Sequence, residues 1–274
     1  METPPTLKFF SLDPPFPMDE TILIIHGAFS SHAAFLHIGR LLAAKGYHVL
    51  LPDLPAHGSG TSGTIQPFRF STSVSLLADL INQHAHNGKA YIVGFSLGGY
   101  LALNLAADHP DLVTRLYCSG AGRDWNWSPA KAHLASVVMC GMSKAPSFLG
   151  TWFNNKHKIV EPSELIEDGA LWKDGRTLGL HHDVIGELVE FSSGDVLDRI
   201  KCPVLMVSAS AHDPVDGQKV TCERLRNGGC EEVKGVELKG WPHAWNGRDP
   251  ELFANSVIAW LVGKSLPKEF VDNC

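Results

Sequence analysis

Gly94-Phe95-Ser96-Leu97-Gly98 sets a serine between two glycines, directly after the apolar run Lys89 to Val93 and directly before a helix-compatible stretch, Ser96 to Asp108. A strand-to-helix turn this tight leaves no room for a Cβ at its flanks, which is why glycine suits both positions. The serine inside such a turn sits in a strained backbone conformation with its Oγ exposed. The helix that starts there aims unpaired N–H groups at the same point and favours a developing negative charge. A serine hydroxyl is a feeble nucleophile until a base takes its proton, and the base in turn needs a carboxylate to orient it. On a strand–turn–helix scaffold those partners follow later strands in the order Ser, Asp, His. Asp213 follows the apolar run Val204 to Ser208, and His243 follows the run that ends at Leu238. Each lies past the carboxyl end of a strand, where ligands bind in open α/β sheets. The chemistry expected is attack by Ser96 on an acyl carbon, with His243 as base and Asp213 holding the imidazole.

Other residues compete for these roles and fit them less well. His26 comes too early in the chain to be the base and suits a structural hydrogen bond. His212 adjoins Asp213, so its side chain should point away from the reacting atoms. Asp216 rivals Asp213 but lies where the next helix begins, a place that suits an N-cap. His181-His182-Asp183 has no third ligand at a suitable spacing, so no metal site is expected. Nothing in the sequence calls for a cofactor.

The elements that must position Ser96, Asp213 and His243 are legible as alternating runs. Thr21 to Ile25 is continuously apolar, as a strand covered on both faces should be. A helical stretch from Ala33 to Lys45 follows, then a strand at Tyr47 to Leu51 ended by Pro52. Ser71 to His86 has apolar Val74, Leu77, Leu80 and Ile81 at helical spacing, and Leu112 to Cys118 reads as a strand. Short connections between alternating strands and helices predict right-handed crossovers and a mostly parallel, doubly wound sheet. From 121 to 194 the alternation stops and only helix-compatible pieces remain. It resumes with strand Val204 to Ser208, helix Gln218 to Arg226, strand Val233 to Leu238 and helix Pro250 to Val262, with Asp249 as its N-cap. The expected organisation is therefore a core of 1–120 and 195–274 carrying an inserted helical cap at 121–194.

With these features in place, the chain resembles the α/β-hydrolase-fold superfamily, in particular its capped, single-domain serine hydrolases and esterases. The resemblance rests on His26-Gly27-Ala28-Phe29 after the first strong strand, Asp53-Leu54-Pro55-Ala56-His57-Gly58 after the second, the Ser96 turn, Asp213, His243 and Asp249-Pro250-Glu251. It runs from about Thr21 to Leu261 and is specific for fold and machinery, not for substrate. It implies that the cap follows the sixth strand position of the family. It also implies an oxyanion hole made by the backbone N–H groups of Leu97 and of Ala28, with Phe29 as the alternative to Ala28. Two departures stand out: Ala56 replaces a usual glycine, a change expected to be tolerated, and the segment before Thr21 is too short for the family's full opening hairpin.

A serine at the turn sets the chain apart from the family's epoxide hydrolases and dehalogenases, which use aspartate there. Ester, lactone or thioester hydrolysis through an acyl-serine is the leading expectation. Carbon–carbon bond cleavage or elimination by the same three residues is the first alternative, and a non-hydrolytic small-molecule receptor the second.

Composition narrows the partners. With 23 Lys and Arg against 29 Asp and Glu, the chain carries a formal charge of −6 and no dense basic cluster, so nucleic acid is not an expected partner. No apolar run reaches the length of a membrane span, no secretory signal is visible, and the six cysteines form no CxxC pair. A cytoplasmic location with reduced thiols is expected, and a hydrophobic small molecule as the substrate. Four of the seven tryptophans, Trp125, Trp127, Trp152 and Trp172, fall in the expected cap. Large rings there serve either as the cap's own core or as a pocket over Ser96. The substrate-lining residues expected on the second view are Phe29, Phe95, Trp125, Trp127, Trp152 and Trp245.

Overall fold

The computed structural model describes residues 5–16, 18–58, 61–144, 147–160, 163, 167 and 175–274. Eight strands form one sheet in the order β1-β3-β2-β4-β5-β6-β7-β8. The strands are β1 (Phe9–Leu12), β2 (Thr21–Ile25), β3 (His48–Pro52), β4 (Ala90–Phe95), β5 (Val113–Ser119), β6 (Val204–Ala209), β7 (Val233–Leu238) and β8 (Phe270–Asp272). All neighbours run parallel except the two edges, where β1 is antiparallel to β3 and β8 to β7. Every residue of β2 and β3 is buried, which is what two covered faces demand of a strand. Neither edge strand was read from the sequence. Each is only three or four residues long and mostly exposed or half-buried, so it carries no apolar run to recognise.

Alternate residues of β2 feed two cores. Ile22 and Ile24 pack with helices α1 (Leu36–Ala43) and the long C-terminal helix Pro250–Leu261. Leu23 and Ile25 pack on the other face with α2 (Phe70–His84) and α3 (Leu97–Asp108). Between β5 and β6 lie α4 (Pro129–Ser143), α5 (Ser147–His157) and α6 (Leu178–Ser193), with no strand among the described residues of 121–194. Helix α4 packs on α6, and Arg69 at the start of α2 ties α6 down through Asp183 (2.8 Å) and Glu187 (3.7 Å). Helix α7 (Val215–Asn227) follows β6, and α8 is Pro250–Leu261. Asp249 caps α8 as expected, its carboxylate accepting from the Leu252 N–H at 2.8 Å with Pro250 in the first turn. Among the described residues, no helix is long and apolar enough to cross a membrane.

Two expectations are corrected here. Pro214, not Asp216, occupies the N-cap position of α7; Asp216 lies inside the first turn, exposed, and pairs with Lys219 at 3.7 Å. The six thiols are not all free: β8 brings the C-terminus beside β7, and Cys274 is joined to Cys222 of α7 across 52 residues of sequence.

The strand order places the site. The chain leaves β2 to one side for β3 and returns on the other side for β4, so the carboxyl ends of β2 and β4 form a topological switch point. Ile25 pairs with Gly94, which sets His26-Gly27-Ala28 beside Ser96.

Ala56 has φ of 59° in the left-handed region, which explains the family's glycine there. Replacing it with glycine relieves about 1–2 kcal/mol of backbone strain. It also removes a buried methyl worth about 0.8 kcal/mol and frees the unfolded chain by about 0.5–1 kcal/mol. Ala56→Gly should therefore shift urea-unfolding stability by less than about 1 kcal/mol, whereas the β-branched Ala56→Val should lose about 2 kcal/mol or more.

Candidate active site

Ser96 has φ 55° and ψ −118°, a conformation that only a tightly constrained turn holds. Its N–H donates to the Ser119 carbonyl at 2.7 Å, and its own carbonyl accepts from Gly99 at 2.9 Å to open α3. A Cβ at Gly98 would run into the carbonyl oxygen of Ile25, and one at Gly94 into that of Gly98. Both glycines are therefore dictated by the approach of two backbones. Leu97 is the first residue of α3, so its N–H has no partner within the helix. Ala28 and Ser96 border the same two cavities, and Leu97 borders one of them.

The loops after β6 and β7 are bonded to each other: Ser210 N–H reaches Leu238 O at 3.1 Å, and Ala211 N–H reaches Trp241 O at 3.0 Å. This lacing brings two residues thirty apart into contact. His243 Nδ1 lies 2.5 Å from Asp213 Oδ1, with Asp213 buried and His243 part-exposed. The other carboxylate oxygen accepts from the Ala209 N–H at 2.9 Å, so both oxygens are held. With Nδ1–H donating to Asp213, Nε2 is left as a free lone pair. His212 turns aside: its Nδ1 accepts from the His243 backbone N–H at 3.2 Å.

Behind the His26–Phe29 turn lies a buried polar layer. His26 Nδ1–H donates to Gly27 O at 2.7 Å, and its Nε2 accepts from Leu54 N–H at 3.1 Å, a neutral tautomer that pins the turn. Burial alone would raise the Asp53 carboxyl, yet two hydrogen bonds from His32, backbone at 2.7 Å and ring at 2.8 Å, hold it below the usual range. His57 is completely buried, and that burial, aided by nearby His26, pushes its imidazole down to about 3.

The six residues expected to line the substrate site divide. Phe95 borders a cavity of about 220 Å³ and Trp125 one of about 550 Å³; Ser96 and His243 border both. The other four line neither cavity. Trp245 is fully buried, donates Nε1–H to Ser119 Oγ at 2.9 Å and packs on Phe253, so it belongs to the core that carries the His243 loop. Phe29, with φ 59°, stacks on His181 at 3.9 Å and joins the β2 turn to α6. Trp127 leans on Trp125 with the Lys131 ammonium 4.3 Å from its ring centre. Trp152 is 62% exposed beside Lys156. Trp172 lies outside the described residues.

Three residues essential to this geometry had not been singled out. Ser119 binds both the Ser96 turn and Trp245. Gly120 has φ 71°, and a Cβ there would sit 2.5 Å from His243 Cε1, so only glycine lets the imidazole lie across it. The Tyr100 hydroxyl, one turn beyond Ser96, accepts from Arg123 N–H at 3.0 Å and from Trp125 Nε1–H at 2.9 Å. The run of small residues Ser119-Gly120-Ala121-Gly122 at a strand end was the available signal for Gly120.

A family model described as the alpha/beta hydrolase fold matches residues 20–141. An AB hydrolase superfamily protein of Gibberella zeae is 31% identical over 93% of this chain and 84% of its own length. A pimeloyl-[acyl-carrier protein] methyl ester esterase of Chromobacterium violaceum is 30% identical over 68% of this chain and 73% of its own. Among solved structures, a thermophilic esterase from Thermogutta terrifontis superposes with a TM-score of 0.69 at 19% identity, covering 94% of this chain and 93% of that one. The chain belongs to the α/β-hydrolase superfamily, and its relatives include esterases.

Gly120→Ala should displace the imidazole and lower kcat toward any substrate at least about a hundredfold, while urea unfolding stays cooperative. His57 titrates lower in the folded state than its ordinary 6.5, so as pH falls the unfolded chain takes up the proton first. Its stabilisation is complete above about 6.5 and is lost between there and about 3, at roughly 1.4 kcal/mol per pH unit. Denaturation of His57→Gln between pH 7 and 5 should show a shallower pH slope than wild type.

Proposed function

We propose that the chain is a serine hydrolase that cleaves the carboxylic ester, lactone or thioester of a hydrophobic small molecule through an acyl-serine intermediate. The observation that carries this reading is the 2.5 Å pair of His243 and Asp213, whose histidine borders both cavities that the strained Ser96 borders. His243 Nε2 takes the Ser96 proton as Oγ attacks the carbonyl carbon, and Asp213 stabilises the imidazolium. The N–H groups of Leu97 and Ala28 receive the oxyanion; one such donor is typically worth about a hundred- to a thousand-fold in rate. The imidazolium then protonates the leaving alcohol or thiol, and a water activated by the same nitrogen releases the acid. Residues 1–120 and 195–274 form the catalytic core on this reading, and 121–194 the cap that walls the larger cavity. The esterase names among the relatives support ester chemistry and leave the acyl and alcohol groups open.

A fluorophosphonate probe and p-nitrophenyl acetate test it. Wild type should be labelled and should turn over repeatedly, and Ser96→Ala should abolish labelling and lower kcat by about a million-fold. Labelling without repeated turnover would point instead to a receptor or to a substrate other than an ester.

A further inference from the structure

The two cavities that meet at Ser96 differ in charge. The described lining of the smaller one holds no lysine, arginine, aspartate or glutamate. The larger is walled by apolar side chains of α4 and α6, among them Met139, Val184, Ile185 and Leu188, and carries two charged groups. One is Asp213, engaged by His243. The other is Arg123.

Arg123 is held at both ends. The Tyr100 hydroxyl accepts from its N–H and donates to its carbonyl, each at 3.0 Å. One Nη donates to the His212 carbonyl at 3.2 Å, and the guanidinium lies 5.7 Å from the Trp125 ring centre. Arg123, His212 and Trp125 all border the larger cavity, and Arg123 and His212 are exposed, so the positive charge stands at the solvent-facing rim of its wall. No carboxylate among the described residues pairs with it. A guanidinium has five donors in a planar fork, and here one of them is bonded to the protein. An oriented fork with donors to spare, at the wall of an apolar cavity, is suited to a planar anion, above all a carboxylate received by two parallel hydrogen bonds.

We propose that the larger cavity takes an apolar chain or ring ending in a carboxylate remote from the scissile bond, and that Arg123 selects it. This rests on the serine hydrolase reading for the reaction, but the binding of the acid does not depend on cleavage. The preferred substrate is then an ester whose acyl or alcohol part carries a free acid at its far end. Arg123 touches that acid and not the reacting atoms, so it is a specificity residue.

Hydrolysis of monomethyl adipate and methyl hexanoate provides the test. Wild type should prefer the half-ester in kcat/KM by about tenfold, through KM, and the preference should shrink between about 50 mM and about 500 mM salt. In Arg123→Gln the ratio of the two should fall towards one, and Arg123→Lys should restore part of it. Equal kcat/KM for both esters in wild type, a preference indifferent to salt, or parallel losses in Arg123→Gln that leave the ratio intact would overturn the proposal. If neither ester is cleaved, the ester branch of the hydrolase reading is what fails. Calorimetric titration of Ser96→Ala with hexanoate and hexanol then decides: hexanoate should bind about tenfold tighter, an advantage lost in Ser96→Ala/Arg123→Gln. Equal binding of the two would sink the proposal by itself.

Discussion

The arrangement of the whole site depends on how closely the turn after β4 packs against the end of β2. Ser96 is held at φ 55° only because the N-terminus of α3 presses on the carbonyl of Ile25 with glycine between them. Backbone strain of this kind costs about 1–3 kcal/mol and persists only where the surroundings over-determine it. Here the Ser119 carbonyl takes the Ser96 N–H, and the buried β2–β4 register locks both backbones. The same contact puts the Ala28 and Leu97 N–H groups at the switch point of the sheet. The strain at Ser96 and its place beside Ala28 therefore come from a single packing event.

His243 and Asp213 depend on that turn less directly. They reach the site because the β6 and β7 loops are laced together and because Gly120, at the end of β5, leaves room for the imidazole. β5 is thus the hub between the serine and the histidine. Ser119 anchors the Ser96 turn through its carbonyl and Trp245 through its hydroxyl, two residues beyond His243. A buried layer of His26, His32, Asp53 and His57 supports the β2 turn from behind. Within it, hydrogen bonds from His32 hold the Asp53 carboxyl down and burial holds the His57 imidazole down, so neither of these two groups changes charge near neutrality.

The aromatic residues have diverse roles. Trp245 and Phe29 look in sequence like pocket lining because they flank functional residues, yet they serve as struts, one in the core and one against α6. Trp125 does border the larger cavity, placed there by the Tyr100 hydroxyl that also fixes Arg123. A tyrosine one helical turn beyond the serine thereby links the Ser96 turn to the wall of the cavity above it.

The sequence alone determined the strand–helix alternation, the parallel core and the Ser96 turn. Continuous burial and close backbone approach restrict residue types locally, as Thr21 to Ile25 and Gly94 to Gly98 show. It also singled out Asp213 and His243, through their order after successive strands, and the structure brings these two side chains within 2.5 Å of each other. The edge strands were hidden because short, half-exposed segments impose no apolar run. The contacts of Gly120, Ser119, Trp245 and Arg123, and the pairing of Cys222 with Cys274, were decided only by tertiary structure. Each of them depends on a neighbour distant in sequence, and the spacing of residues along a chain encodes which face a side chain takes but not what it meets there.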